Sequence, residues 1–137
     1  MCSDSRFTAL GINHSVVLRT TRRNAKIVIG SDIGVSGGTI CAEQSIIIGN
    51  ECLIGANVTL VDNDFHAITA NGRRFNNNES DISAAPVVIS NNVFLGAQSI
   101  ILKGVVVGEN SIVGAGTILT SNVDADVVVA GSPTKII

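Results

Sequence analysis

From Ile89 onward every sixth residue is aliphatic: Ile89, Leu95, Ile101, Val107, Val113 and Leu119. Four residues after each comes a small or β-branched one, giving a second column of Val93, Ser99, Val105, Ser111, Thr117 and Val123. Glycine directly follows three members of the first column, as Gly96, Gly108 and Gly114. A fixed short period means one structural unit stacked on copies of itself, so these two linked columns constrain the fold more than anything else in the chain. Six residues make a short strand and a turn. Each unit points one large aliphatic side chain inward and fits a small one into the crowded corner, with glycine where the turn needs unusual dihedrals. Three such units per coil give a triangular prism filled by ladders of Ile, Leu and Val. Its coils are stable only against their neighbours.

An earlier block keeps the rhythm. Ile48, Ile54 and Leu60 run at spacing six to His66, with Gly49 and Gly55 after the first two. Before them, Ile29, Val35 and Cys41 form one column, and Ile33, Thr39 and Ser45 the other. The two sets are one residue out of step, so an insertion is expected between Cys41 and Ile48. Leu10 and Val16 extend the pattern toward the N-terminus, across a break at Arg19 to Lys26. Between His66 and Val87 the period stops. Residues 67–86 are polar and rich in turn formers, and about twenty residues without a pattern inside a compact unit signal function or disorder. The expectation is an all-β chain: a single parallel β-helix domain over residues 1–137, with loop 67–86 extruded between coils.

Composition removes the alternatives. The apolar fraction of 45% excludes disorder, and with 3% aromatic residues (Phe7, Phe65, Phe75 and Phe94) the core has to be aliphatic. Fourteen glycines spread through runs of Val, Ile and Thr argue against helical bundles. A net charge of −2 argues against a nucleic-acid partner. No stretch approaches the roughly 18 apolar residues of a membrane span, and the opening Met1-Cys2-Ser3-Asp4-Ser5-Arg6 is unlike a secretory leader. Cys2, Cys41 and Cys52 lack metal-ligand spacing and suit a reducing compartment. A soluble cytoplasmic protein is expected.

His66 stands out chemically. It ends a hexad run, beside Asp62 and Asp64 and just before the long loop. An imidazole can take the proton of a weakly nucleophilic hydroxyl and later pass it to a leaving thiolate. A neighbouring carboxylate would fix its tautomer, and Asp62 and Asp64 are both candidates. Arg73 and Arg74, flanked by Gly72 and Phe75, are candidates for holding an anionic acceptor or coenzyme phosphates, against a reading as solvated loop charges. The cluster Arg19, Arg22, Arg23 and Lys26 is read as a solvated face, His14 as a coil residue, and Cys41 and Cys52 as packing residues.

With its repeat, the stretch Asp62-Asn63-Asp64-Phe65-His66, the re-entry at Pro86-Val87-Val88-Ile89 and the ending Val129-Ala130-Gly131-Ser132-Pro133-Thr134-Lys135-Ile136, the chain resembles the hexapeptide-repeat acyltransferases, in particular the sugar and xenobiotic O-acetyltransferase branch. The resemblance covers roughly residues 10 to 137 and implies a left-handed parallel β-helix, a known exception to right-handed crossovers. It further implies a homotrimer with active sites between neighbouring prisms, acetyl-CoA as donor, no metal, and His66 as general base toward a saccharide-type hydroxyl. Carried over residue by residue, the coenzyme positions are Gly96, Ala97, Ala115, Thr120 and Ser121, with Lys135 for the 3′-phosphate. The glycines Gly96 and Gly114 are expected to let the thin pantetheine arm approach the backbone. Acceptor contacts fall to Asn63, Phe65, Arg73 and Arg74, with Ser36 where relatives use an early asparagine. Phe94 stands where relatives often have tryptophan, and Ser121 where they commonly have lysine.

A nucleotide-sugar amine or a hydroxylated antibiotic is an alternative acceptor. A zinc carbonic anhydrase on the same fold needs three histidines per site, and this chain has only His14 and His66. An idle β-helix scaffold has no use for Asp62 to His66 or the loop, and a regular threonine column, as on an ice-binding face, is absent from the sequence.

Overall fold

Short runs of β-branched residues, each ended by Gly, Asn or Asp, give two- to five-residue strands that turn a corner every six residues or so. A computed structural model describes residues 4–137; Cys2 lies outside the described residues. The first coil holds β1 (Val17–Thr20), β2 (Lys26–Ile29) and β3 (Gly34–Val35), and the second β4 (Gly38–Ala42), β5 (Ser45–Ile48) and β6 (Leu53–Ile54). The third consists of β7 (Val58–Val61), the extruded loop, β8 (Val87–Ile89) and β9 (Phe94–Leu95). The fourth is β10 (Ile100–Ile101), β11 (Val106–Val107) and β12 (Ile112–Val113); β13 (Ile118–Leu119) and β14 (Val128–Ala130) belong to the fifth, and β15 (Lys135–Ile136) folds back antiparallel on β14. Like faces stack in parallel as β1-β4-β7-β10-β13, as β2-β5-β8-β11, and as β3-β6-β9-β12-β14. All-β and almost without helix, the chain is a β-solenoid of the left-handed β-helix type.

The register defines the ladders. On the first face Leu18, Ile40, Leu60, Ile101 and Leu119 are in line. On the second they are Ile29, Ile48, Ile89 and Val107, and on the third Val35, Ile54, Leu95, Val113 and Val129. Every residue of both columns from Ile89 to Val123 is buried, as expected. Each fully buried Ile, Leu or Val contributes about 1.5–3 kcal/mol, so the stacked ladders carry the stability.

The early phase is corrected in three places. Ile40, rather than Cys41, occupies the ladder, and Cys41 lies one step on, opposite Val61. The preceding turn is one residue short because Gly37 and Gly38 both have positive φ, and a Cβ on Gly38 would lie 2.5 Å from the Val58 carbonyl oxygen. The expected insertion does fall between β4 and β5, where Ile48 follows Ile40 by eight residues. Leu10 is 75% exposed and outside the core, whereas Val16 is partly buried and packs against it as expected, with the exposed Leu18 in register with Ile40 at the end of the prism. His66 is exposed, and Ile89 takes its ladder position opposite Ile48.

Three edges result, and they differ chemically. Between the third and first faces lie Ser36-Gly37, Gly55-Ala56, Gly96-Ala97 and Gly114-Ala115, an edge without charge. Between the second and third runs a side-chain ladder: Asn50 Oδ1 accepts from the Ser31 amide, Asn91 Oδ1 from the Asn50 amide, and Asn110 donates to Asp126. Between the first and second, the loop leaves the prism.

Candidate active site

The loop edge is assembled from four coils. At its centre Asp62 is fully buried, and its carboxylate accepts from the amides of Glu43 (2.7 Å), Gln44 (2.7 Å) and Ser45 (2.8 Å), and from Asn63 Nδ2 (3.1 Å). Four donors fill the acceptor capacity of a carboxylate. Asp62 therefore staples the corner of the coil beside it and has no free lone pair with which to orient His66, so of the two carboxylates expected as candidates for that role Asp62 does not fill it.

The next four residues form a tight turn. Asn63 is buried, and its Oδ1 accepts from the Phe65 amide at 2.8 Å. The Asp64 amide donates to the Ser83 carbonyl at 3.0 Å, and the Asp64 carbonyl accepts from the His66 amide at 2.7 Å. Phe65 sits at φ 60°, a left-handed conformation that is uncommon for an aromatic residue and costs of order 1 kcal/mol or more. Both carboxylate oxygens of Asp64 lie 2.6 Å from Lys103 Nζ, which reaches across from the fourth coil. Four residues on from Leu60, Asp64 falls by phase in the second, inward column; it is half-buried instead, and its partner is the lysine.

His66 emerges exposed from this turn onto an open hollow of about 740 Å³ lined by Ala70, Gly72, Arg73, Arg74 and Phe75. Arg73 and Arg74 belong to a short 3-10 turn, Arg73–Phe75, entered through Gly72 in the left-handed conformation. The structure thus brings three expected site residues together: His66, Arg73 and Arg74. Asn63 is consumed by the turn, and Phe65 points away into a smaller cavity with Thr21, Arg22 and Ile82.

The loop is held to its own subunit. A second 3-10 turn, Glu79–Asp81, meets Arg22, whose guanidinium pairs with the buried Glu43, lies 3.3 Å from the Glu79 carboxylate and donates to the Glu79 carbonyl at 2.6 Å. Arg22 is therefore a loop anchor and not part of a solvated face, while Arg19, Arg23 and Lys26 are exposed as expected. The roles of Lys103, Glu43 and Arg22 are not legible in the sequence, because each acts across coils at a corner the repeat leaves free to vary. The one available signal was a charge in a corner whose neighbours along the edge also carry charge.

The coenzyme candidates divide between two edges. Gly96, Ala97 and Ala115 lie on the uncharged edge, as does Ser36, with Gly96 and Gly116 hydrogen-bonded to adjacent coils. Thr120 and Ser121 are exposed on the loop edge. Lys135 is exposed in the C-terminal hairpin. A Cβ on Gly96 would lie 2.5 Å from the Ala115 amide nitrogen, and one on Gly114 would lie 2.9 Å from the Ala130 Cβ. Coil stacking, not room for a ligand, is what requires glycine at these two positions. Cys41 and Cys52 are buried free thiols, and burial pushes both above the usual thiol range, Arg19 opposing this at Cys41. Packing is their role.

The profile of the hexapeptide repeat of succinyl-transferase matches residues 27–61 and 86–121, just over half of the chain, which belongs to the hexapeptide-repeat acyltransferase family. Among individual proteins, it is 35% identical over 102 residues to the galactoside O-acetyltransferase of Escherichia coli (strain K12), an alignment covering 72% of this chain and 46% of that enzyme. A solved galactoside acetyltransferase in complex with coenzyme A superposes with a TM-score of 0.74 at 31% identity, covering 89% of this chain and 57% of that one. A polysialic acid O-acetyltransferase superposes with a TM-score of 0.75 at 28% identity, covering 89% and 58% respectively. The chain thus spans about half the length of these relatives.

Proposed function

We propose that this chain moves an acetyl group from acetyl-CoA to a hydroxyl of a saccharide-type acceptor, with His66 as general base. One observation carries the reading: His66, at the base of the loop, stands exposed on a strained and multiply tied turn, at the mouth of a hollow of about 740 Å³. The galactoside and polysialic acid acetyltransferases it resembles support the acyl donor and the acceptor class. His66 takes the acceptor's hydroxyl proton while the oxygen attacks the thioester carbonyl. The tetrahedral intermediate then collapses, the C–S bond breaks, and the imidazolium returns the proton to the leaving thiolate. Acetyl ester and free coenzyme A are the products.

The reading includes a homotrimer with sites between subunits. Two observations support it. The coenzyme candidates lie on two different edges of one prism, and only a neighbour can bring such edges face to face. The third face also carries an exposed apolar row in register, Leu53, Phe94, Ile112 and Val128, of the kind that association covers. The reading keeps the protein in the cytoplasm, where buried thiols stay reduced. Among the described residues no helix is long and apolar enough to cross a membrane. Calorimetric titration with acetyl-CoA, on material of measured mass, is expected to give micromolar binding at about one site per chain of a trimer. A folded trimer that ignores acetyl-CoA returns the chain to the scaffold class.

Lys103 enters this mechanism as a positioning residue, acting on His66 through Asp64. Lys103→Met should lower kcat roughly 10–100-fold at nearly constant KM for acetyl-CoA, since a base displaced by about 1 Å loses that much. Lys103→Arg should recover most of it. A Lys103→Met enzyme with wild-type kcat would remove the lysine from the mechanism and leave His66 untouched.

A further inference from the structure

The loop sorts its charges. Residues 67–86 contain two carboxylates, and neither lines the hollow beside His66: Glu79 is taken by Arg22, and Asp81 accepts from Asn76 Nδ2 at 2.9 Å. Asp64, at the loop's base, is taken by Lys103. The hollow beside His66 is left with two guanidiniums and no carboxylate in its lining. Arg73 is braced by its Nη2 donating to the Ile68 carbonyl at 2.6 Å, and Arg74 lies 5.9 Å from the centre of the Phe75 ring. Neither has a carboxylate partner among the described residues. Phe75 is 82% exposed and offers a flat apolar surface on the same wall.

We infer that this wall is an anion subsite, and that the acceptor is an acidic saccharide whose carboxylate or phosphate is held by Arg73 and Arg74 while a hydroxyl of the same molecule faces His66. Two adjacent planar forks suit a carboxylate or phosphate better than a neutral hydroxyl, because charge-assisted bidentate pairs are the stronger and more directional ones. An aromatic plane beside them suits the apolar face of a sugar ring. The volume exceeds what one sugar ring occupies, so a residue of a longer chain fits as readily as a free monosaccharide. The inference rests on the acetyltransferase reading for its chemistry, but binding can be tested without turnover. Coenzyme phosphate is the other source of an anion at this place, and the experiment separates the two.

The probes are methyl galacturonoside, its neutral methyl ester and glucose 6-phosphate, assayed for binding by calorimetry and for acetyl transfer from acetyl-CoA. Wild type is expected to bind at least one acidic probe and not the ester, with affinity falling as salt rises. Arg73→Gln/Arg74→Gln should lower kcat/KM for the acidic probe about 10–100-fold, and the double lysine variant should keep much of it. Acetyl-CoA affinity should be unchanged in both. The single variant Arg74→Gln, whose side chain accepts and donates no hydrogen bond among the described residues, guards against a folding defect. Equal binding of acid and ester, or binding of neither, overturns the inference. So does loss of acetyl-CoA affinity in the glutamine variants, which assigns the arginines to the coenzyme. Acid binding without any acetyl transfer sustains the subsite and counts against the acetyltransferase reading alone.

Discussion

Replacing His66 by alanine should lower kcat by roughly 10²–10⁴-fold, the usual contribution of a positioned general base, and leave the affinity for acetyl-CoA nearly intact. At about 1.36 kcal/mol per decade, this corresponds to about 3–5 kcal/mol of transition-state stabilisation. The separation of the two effects follows from the geometry. His66 is exposed at the end of its turn, and only its amide is tied, to the Asp64 carbonyl. Truncating the imidazole therefore removes no hydrogen bond or ion pair among the described residues, and the coenzyme positions on the uncharged edge lie on another corner of the prism. Steady-state kinetics with a saccharide acceptor and calorimetry with acetyl-CoA, on the same preparation, check both halves. Wild-type turnover in the variant would end the assignment of His66 as base. A parallel loss of coenzyme binding would move the histidine to a donor-binding role.

The repeat made the fold legible, because a six-residue period writes the interior directly into the sequence. Both columns from Ile89 to Val123 are buried where the period put them. The period failed where the backbone changed its length. Gly37 and Gly38 drop one residue and shift the ladder to Ile40, and the extrusion after Val61 carries His66 out of the column its spacing gave it. Neither event alters the hydrophobic pattern enough to be counted.

The candidate site was legible in its residue types and less so in their roles. His66, Arg73 and Arg74 were found by their place next to a break in the repeat, and they share one hollow. The carboxylates were not separable by spacing. Asp62 and Asp64 differ by two residues, yet one is fully buried under four donors and the other is matched to Lys103. What distinguishes them is contact with other coils, 17 to 19 residues away in the first case and 39 in the second. A solenoid decides such contacts by stacking corner on corner, and corner side chains are what the repeat does not specify. The same holds for Arg22 and Glu43.

Substituting aspartate for Ile101 should prevent folding. Ile101 is fully buried between Leu60 and Leu119, in the middle of the first-face ladder. An aspartate there loses the transfer energy of a large aliphatic side chain and leaves a cavity, together about 2–5 kcal/mol. It also places a carboxylate among Ile, Leu and Val with no donor in reach, which costs several kcal/mol more whether the group stays charged or takes up a proton. Total stabilities of about 5–15 kcal/mol do not survive that sum. The neighbouring position is the control: Ile100 points outward, and its register partner on β7 is already a threonine, Thr59. Ile100→Thr should therefore melt close to wild type. Circular dichroism and thermal melts of the two variants read the parity of the strand directly, because adjacent residues of one two-residue strand are expected to give opposite outcomes. A soluble Ile101→Asp protein with a cooperative transition would mean that the ladder is not what holds the coils together.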